Sequence, residues 1–175
     1  MGVSCAVITS AYGRQSQGTV RLHLLDLPVS QYGVDMADHT DDLRLAHILA
    51  DDADSLTMSR FGARDLTVST KPDHSEVTDA DLAVEDSVRR TLSRMRSRDA
   101  VHGEERADTG DGPRRWIIDP IDGTANFLRG VPVWATLIAL SVEDQIVASV
   151  VSAPALKRRW WAARGSGAWS GKSLA

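Results

Sequence analysis

The spacing of apolar residues turns from mainly helical to mainly extended near Arg115, and that change limits the folds open to this chain. Upstream, Leu45, Ile48, Leu49, Ala53 and Leu56 fall on one stripe of a helix predicted over about Asp41 to Phe61. Thr40 is placed to cap it, Asp41 and Asp42 suit the positive end of its dipole, and Gly62 suits its C-terminal stop. Leu66 to Thr70 reads as a short strand, followed by a polar loop over Lys71 to Glu76. A second helix starts near Asp79, where Thr78 and Asp81 match a capping box, and Val84, Val88, Leu92 and Met95 form its apolar side. Ser97 to Arg114 is polar apart from Val101 and its neighbours. Downstream the pattern is extended. Arg115 to Ile118 is a short apolar run that meets a loop at Asp119-Pro120. Val133 to Val142 and Gln145 to Val151 are strands joined at Glu143-Asp144, and Arg159 to Ala163 is another, ahead of the loop Gly165-Ser166-Gly167. Helices first and a strand meander afterwards predict a layered α+β sandwich rather than βαβ alternation.

Composition removes several classes of function. Apolar residues make up 42% and charged residues 25%, enough to build a core. The formal charge of −4 argues against a general nucleic-acid binder. Cys5 is the one cysteine, which excludes an internal disulfide framework and a cysteine-cluster zinc site and suits a reducing, cytoplasmic setting. The five histidines show no ligand spacing, no phosphate-cradling glycine-rich loop appears, and no run of about 18 apolar residues suggests a membrane span. Residues 1–34 contain a single acid, Asp26, and differ in character from the acidic stretch after them. Residues 1–35 are therefore read as an extension of unassigned role, with Met36 as an alternative natural start, and residues 36–175 as the domain.

The chemistry concentrates in Trp116-Ile117-Ile118-Asp119-Pro120-Ile121-Asp122-Gly123-Thr124. A strand delivers Asp119 to a loop edge, and Asp122 follows three residues later. Two carboxylates held this close repel unless a cation lies between them, and hard divalent ions prefer oxygen ligands, backbone carbonyls included. Gly123 permits close backbone approach, and Thr124 adds a hydroxyl at the start of a short helical segment, where N–H groups favour phosphate. The plainer alternative is that both acids are turn formers. Likewise Glu104-Glu105 reads alone as a solvated pair, and Asp79 and Asp81 as N-terminal caps.

Taken in order, Val77-Thr78-Asp79-Ala80-Asp81, then Gly103-Glu104-Glu105, then the segment Trp116 to Thr124 resemble the inositol monophosphatase family over about Asp41 to Trp169. The resemblance implies a Mg²⁺-dependent, lithium-sensitive phosphomonoesterase. Carried over residue by residue, it implies that Glu104, Asp119 and the Ile121 carbonyl hold one metal and that Asp119 and Asp122 serve a second. It implies that Asp81 and Thr124 orient and activate the attacking water. Ile121, Asp122, Gly123 and Thr124 would then line the substrate site, with the Gly123 and Thr124 N–H groups on the phosphate. Lys71 falls where family members carry a mobile loop near the metals. Within the family, Arg129 to Ala135 and Ser152 to Gly165 look most like actinobacterial histidinol-phosphatases, which implies L-histidinol phosphate as substrate, with inositol 1-phosphate as alternative. The partner implied is a small phosphorylated metabolite; neither nucleic acid nor membrane is expected, and a homodimer is left open. Family members continue well beyond this length and there supply a Trp-Asp motif whose Asp completes the second metal site. The resemblance thus implies a C-terminally truncated form of the fold with strands short of packing partners. A non-catalytic remnant that binds only metal or a partner is the alternative of another class.

Overall fold

Two helices lie against a six-stranded sheet in the described part of the chain, residues 39–72 and 75–173 of a computed structural model. The expectations for residues 1–35 fall outside these described residues. The order is α1 (Thr40–Arg60), β1 (Val68–Thr70), β2 (Glu76–Thr78), α2 (Asp79–Met95), β3 (Ala100–Gly103), β4 (Arg114–Asp122), α3 (Thr124–Leu128), β5 (Ala135–Val142), β6 (Gln145–Ala153), β7 (Arg158–Ala163) and β8 (Gly167–Gly171). The sheet runs β3-β4-β5-β6-β7-β8; only β3 and β4 are parallel. The α+β layering expected from the pattern is what forms.

Alternation along the strands separates two faces. On one, Trp116, Ile118, Ile138, Leu140, Ala148, Val150 and Ala163 pack with Leu45, Ala46, Leu49, Ala50 and Ala53 of α1 and Val84, Val88 and Leu92 of α2. Three alanines on the buried side of α1 let the helix settle close to the sheet. The predicted stripes were too wide at their edges: Ile48 is 40% exposed and Met95 49%. The helix α1 starts with Thr40 inside it and His39 as its N-cap, so Thr40 is not the cap. Asp42, buried, accepts from Arg114 at 2.8 Å and ties the start of α1 to the start of β4.

Four strand readings also change. Strand β3 forms in a segment read as loop, because its parallel register against Arg115–Ile118 covers Ala100 and Val101. Glu76–Thr78 pairs antiparallel with β1, so the polar loop is shorter than expected. Strand β4 does not stop at Ile118; it continues through Pro120 to Asp122, with a shift of register against β5 between Asp119 and Asp122. Beyond the expected loop, Gly167–Gly171 adds an edge strand.

Glu85, fully buried on α2, organises the connection that follows β3. It accepts from the backbone N–H groups of Glu105 (2.7 Å) and Arg106 (3.1 Å) and from Arg89 Nε (2.8 Å). A Cβ on Gly103 would fall on the Glu85 carboxyl group. We therefore expect Gly103→Ala to cost about 1–3 kcal/mol, the usual range for overpacking, read as a lower thermal midpoint. A midpoint equal to the parent's would show that Glu85 yields freely.

Candidate active site

The capping box at the start of α2 is formed. Asp81 Oδ2 accepts from Thr78 N at 2.8 Å and Thr78 Oγ1 at 2.6 Å, while Thr78 Oγ1 accepts from Asp81 N. The box fixes Asp81 rigidly and leaves its second oxygen, Oδ1, turned toward Thr124 Oγ1 at 3.4 Å. Thr124 Oγ1 also donates to the Ile121 carbonyl at 3.0 Å. One hydroxyl proton therefore has two acceptors, and the turn holding them is tightly built. Gly123 has φ +92°, and a Cβ there would press on the Val133 carbonyl oxygen at 3.2 Å. Thr136 Oγ1 bonds the Pro120 carbonyl at 2.7 Å and pins the shifted part of β4. Beneath, Phe61, Phe127 and Trp134 pack with ring centroids 5.0–5.5 Å apart beside buried Ile121.

Glu104 reaches the site because its backbone N–H bonds the Ile118 carbonyl at 3.2 Å, next to Asp119. Asp119 Oδ1 is buried with no hydrogen-bond partner. Burial first, then Glu104 close by, then Asp122 and Asp81, push the Asp119 carboxyl up to about 9. Burial and Glu104 raise Asp122, and burial raises Asp81 against the Thr78 hydrogen bonds. The expected residues Asp81, Glu104, Asp119, Ile121, Asp122, Gly123 and Thr124 thus lie in one neighbourhood. Asp79 bonds Arg60 at 2.8 Å and belongs to a half-buried ion pair instead.

Lys71 and Glu105 are more involved than the sequence suggested. The Lys71 ammonium donates to Glu104 Oε1 at 3.0 Å and to Glu105 Oε1 at 2.8 Å, and the Glu105 side chain is only 4% exposed, not solvated. Burial alone would lower Lys71; the bonds to Glu105 and Glu104 outweigh it and raise it. Glu85 also went unrecognised. Its signal was an acid four residues after Asp81 on an otherwise apolar helix face.

A buried carboxylate oxygen without a donor, among acids that lift one another's protonation, is a donor set for a hard cation. Among the described residues no three such side chains converge on one point as they stand, and Lys71 holds Glu104 with its own charge. The acids are adjacent and fit a divalent ion once Glu104 turns off Lys71. A cleft of about 550 Å³ lies elsewhere, against Asp52, Leu56, Ala83, Asp86 and Arg90 of α1 and α2, and takes no part in this cluster.

The raised Asp119 gives a pH signature with no ion added. Its folded value lies above the unfolded one, so the folded chain binds the extra proton, and its contribution to stability falls as pH rises toward about 9. Between pH 7.5 and 9, above the histidine range, the melting point in EDTA should fall; Mg²⁺ or Asp119→Asn should flatten the slope. A midpoint that climbs over this interval in EDTA would contradict the coupling.

A strand end that gathers carboxylates beside a threonine hydroxyl presents the oxygen donors a hard divalent cation takes. The inositol monophosphatase family model matches residues 39–174, and the chain belongs to that family. Its relatives include the histidinol-phosphatase of Streptomyces coelicolor, 61% identical over 143 residues, covering 79% of this chain and 54% of that protein. The histidinol-phosphatase of Mycobacterium tuberculosis is 62% identical, with 74% and 50% covered. Among solved structures, the extragenic suppressor protein suhB of Bartonella henselae superposes with a TM-score of 0.72 at 33% identity, covering 75% of this chain and 52% of that one. The chain spans about half the length of the curated relatives it matches.

Proposed function

We propose that this chain provides the metal-binding part of a Mg²⁺-dependent phosphomonoesterase, with L-histidinol phosphate hydrolysed to L-histidinol and phosphate. The observation that carries the reading is Asp119, buried, short of a donor and crowded by Glu104, Asp122 and Asp81 at one strand end. The two histidinol-phosphatases above support the substrate.

Glu104, Asp119, the Ile121 carbonyl and Asp122 are the residues that would hold the ion. When bound, Mg²⁺ neutralises phosphate charge and lowers the pKa of a water. The protein's own part is to move and hold protons. When the Thr124 hydroxyl gives its hydrogen to Asp81 Oδ1, its lone pairs are free to accept from a water beside the cluster. Asp81, fixed by Thr78 through its other oxygen, keeps that orientation and accepts the proton as the water attacks phosphorus. Gly123 and Thr124 form the turn that receives the phosphate, and the leaving alcohol departs with a proton from water.

The test joins this chain to the remaining half of the S. coelicolor relative and follows phosphate release from L-histidinol phosphate with Mg²⁺ or EDTA. Release that requires Mg²⁺ and exceeds that from inositol 1-phosphate is the expected result. Release indifferent to EDTA would remove the metal reading, and preference for inositol 1-phosphate would remove the substrate.

A further inference from the structure

Two neighbouring acids share one ammonium just after β3. Lys71 Nζ donates to Glu104 Oε1 at 3.0 Å and to Glu105 Oε1 at 2.8 Å, and among the described residues no other cationic side chain pairs with either acid. The two acceptors are unequal. The Glu105 side chain is 4% exposed, and its backbone N–H is held by Glu85 at 2.7 Å. The Glu104 side chain is 47% exposed. Glu105 is therefore the fixed end of the bridge, and Glu104 is the end with room to swing. Lys71 is itself held in place. Its side chain is 20% exposed, it directly follows β1, and its N–H bonds the Ser75 carbonyl at 2.9 Å across the turn to β2. An ammonium kept this close to a carboxylate and largely out of water pairs with it more strongly than a surface lysine does.

We infer that Lys71 is a tethered competitor for the divalent ion: in the ion-free chain its ammonium neutralises Glu104, and entry of the ion swings Glu104 away while Lys71 stays on Glu105. Lys71 takes this role only if the metal reading above holds. It is then a positioning residue and Glu105 its anchor, and neither is a ligand. Glu104 gives up one cation as it takes another, so the exchange is charge for charge and moves no proton. With the ion absent, the ammonium keeps Glu104 and Glu105 from repelling each other; with the ion present, that task at Glu104 passes to the ion. Each ion bound must first break the 3.0 Å pair, so Lys71 lowers the affinity of the site it borders.

Calorimetry with Mg²⁺ on the full 175-residue chain compares the parent with Lys71→Met, which keeps the long stem and removes the charge. Binding by Lys71→Met is expected to be on the order of tenfold tighter or more. Arg129→Met takes the same charge from the exposed C-cap of α3 and should change the affinity less than about twofold in about 0.3 M KCl, where remote charges are screened. A second readout uses the parent alone. The chain has three lysines, Lys71, Lys157 and Lys172, and the ¹⁵N ammonium resonance of Lys71 should move on Mg²⁺ addition while the other two stay. If Lys71→Met melts far below the parent, Lys71→Gln repeats the titration, and the resonance decides if both unfold. Equal or weaker binding by Lys71→Met beside clear binding by the parent overturns the competitor and leaves the metal reading standing. Tightening of the same size in Arg129→Met overturns it as well, because the effect is then one of general charge. No heat and no shifted resonance in either chain, with Asp119→Asn no different, removes the metal reading and the competitor together.

Discussion

Asp119→Asn is expected to lower Mg²⁺-dependent phosphate release by the completed phosphatase on the order of a thousandfold or more, equivalent to about 4 kcal/mol of transition-state stabilisation. The exchange keeps size and shape and removes one negative charge from the most crowded position in the cluster. Asp119 Oδ1 has no donor in the folded chain, so the amide breaks no hydrogen bond at that oxygen. Without an ion the folded parent takes up a proton at Asp119, at a cost that grows toward pH 9, and the amide is spared that cost. The variant should therefore melt no lower than its parent in EDTA and should lose the stabilisation that Mg²⁺ gives the parent. This opposition of readouts separates a metal ligand from a structural residue, whose loss would lower both activity and melting point. Activity within a few fold of the parent would end the assignment.

The site was legible because its chemistry is local in sequence. Asp119, Asp122, Gly123 and Thr124 lie within six consecutive positions, and the capping box that aims Asp81 is a four-residue signal from Thr78. What escaped depends on distant parts of the chain. Glu105 takes its ion pair from Lys71, 34 residues away, and Glu85 meets N–H groups 20 and 21 residues on. Strand β3 carries His102 and Gly103 and has little apolar pattern of its own; pairing with β4 makes it a strand. The extension of β4 to Asp122 has the same origin. Pro120 reads locally as a strand end, yet its missing N–H is tolerated where the register slips, and Thr136 takes its carbonyl.

The second large effect is expected at Arg159, which the sequence offered only as one basic residue of a strand. Its guanidinium is 3% exposed and crosses the core face to α1. There Nη2 donates to Asp54 Oδ2 at 2.7 Å and Nε to Ser152 Oγ at 3.0 Å, and Ser152 itself donates to Asp54 at 2.8 Å. Asp51 Oδ1 faces Nη1 at 2.7 Å, at an angle too poor for a hydrogen bond, so its contribution is charge alone. Burial raises the Asp54 carboxyl even with Ser152 and Arg159 pulling it down. Arg159→Met leaves that carboxyl in the core without its cation, a loss of about 3–5 kcal/mol, a large share of an ordinary domain's stability. In a chain of this size it lowers the thermal midpoint by roughly 10 °C. Two controls identify the cause. Adding Asp54→Leu to Arg159→Met removes the stranded acid and should restore most of the stability, since a packed apolar pair replaces a buried ion pair at little net cost. The single variant should also recover as pH falls toward 5, because its folded Asp54 then binds a proton the unfolded chain holds less tightly. If the double variant is no more stable than the single, Arg159 acts through packing of its long side chain, and the charge on Asp54 is not what it serves.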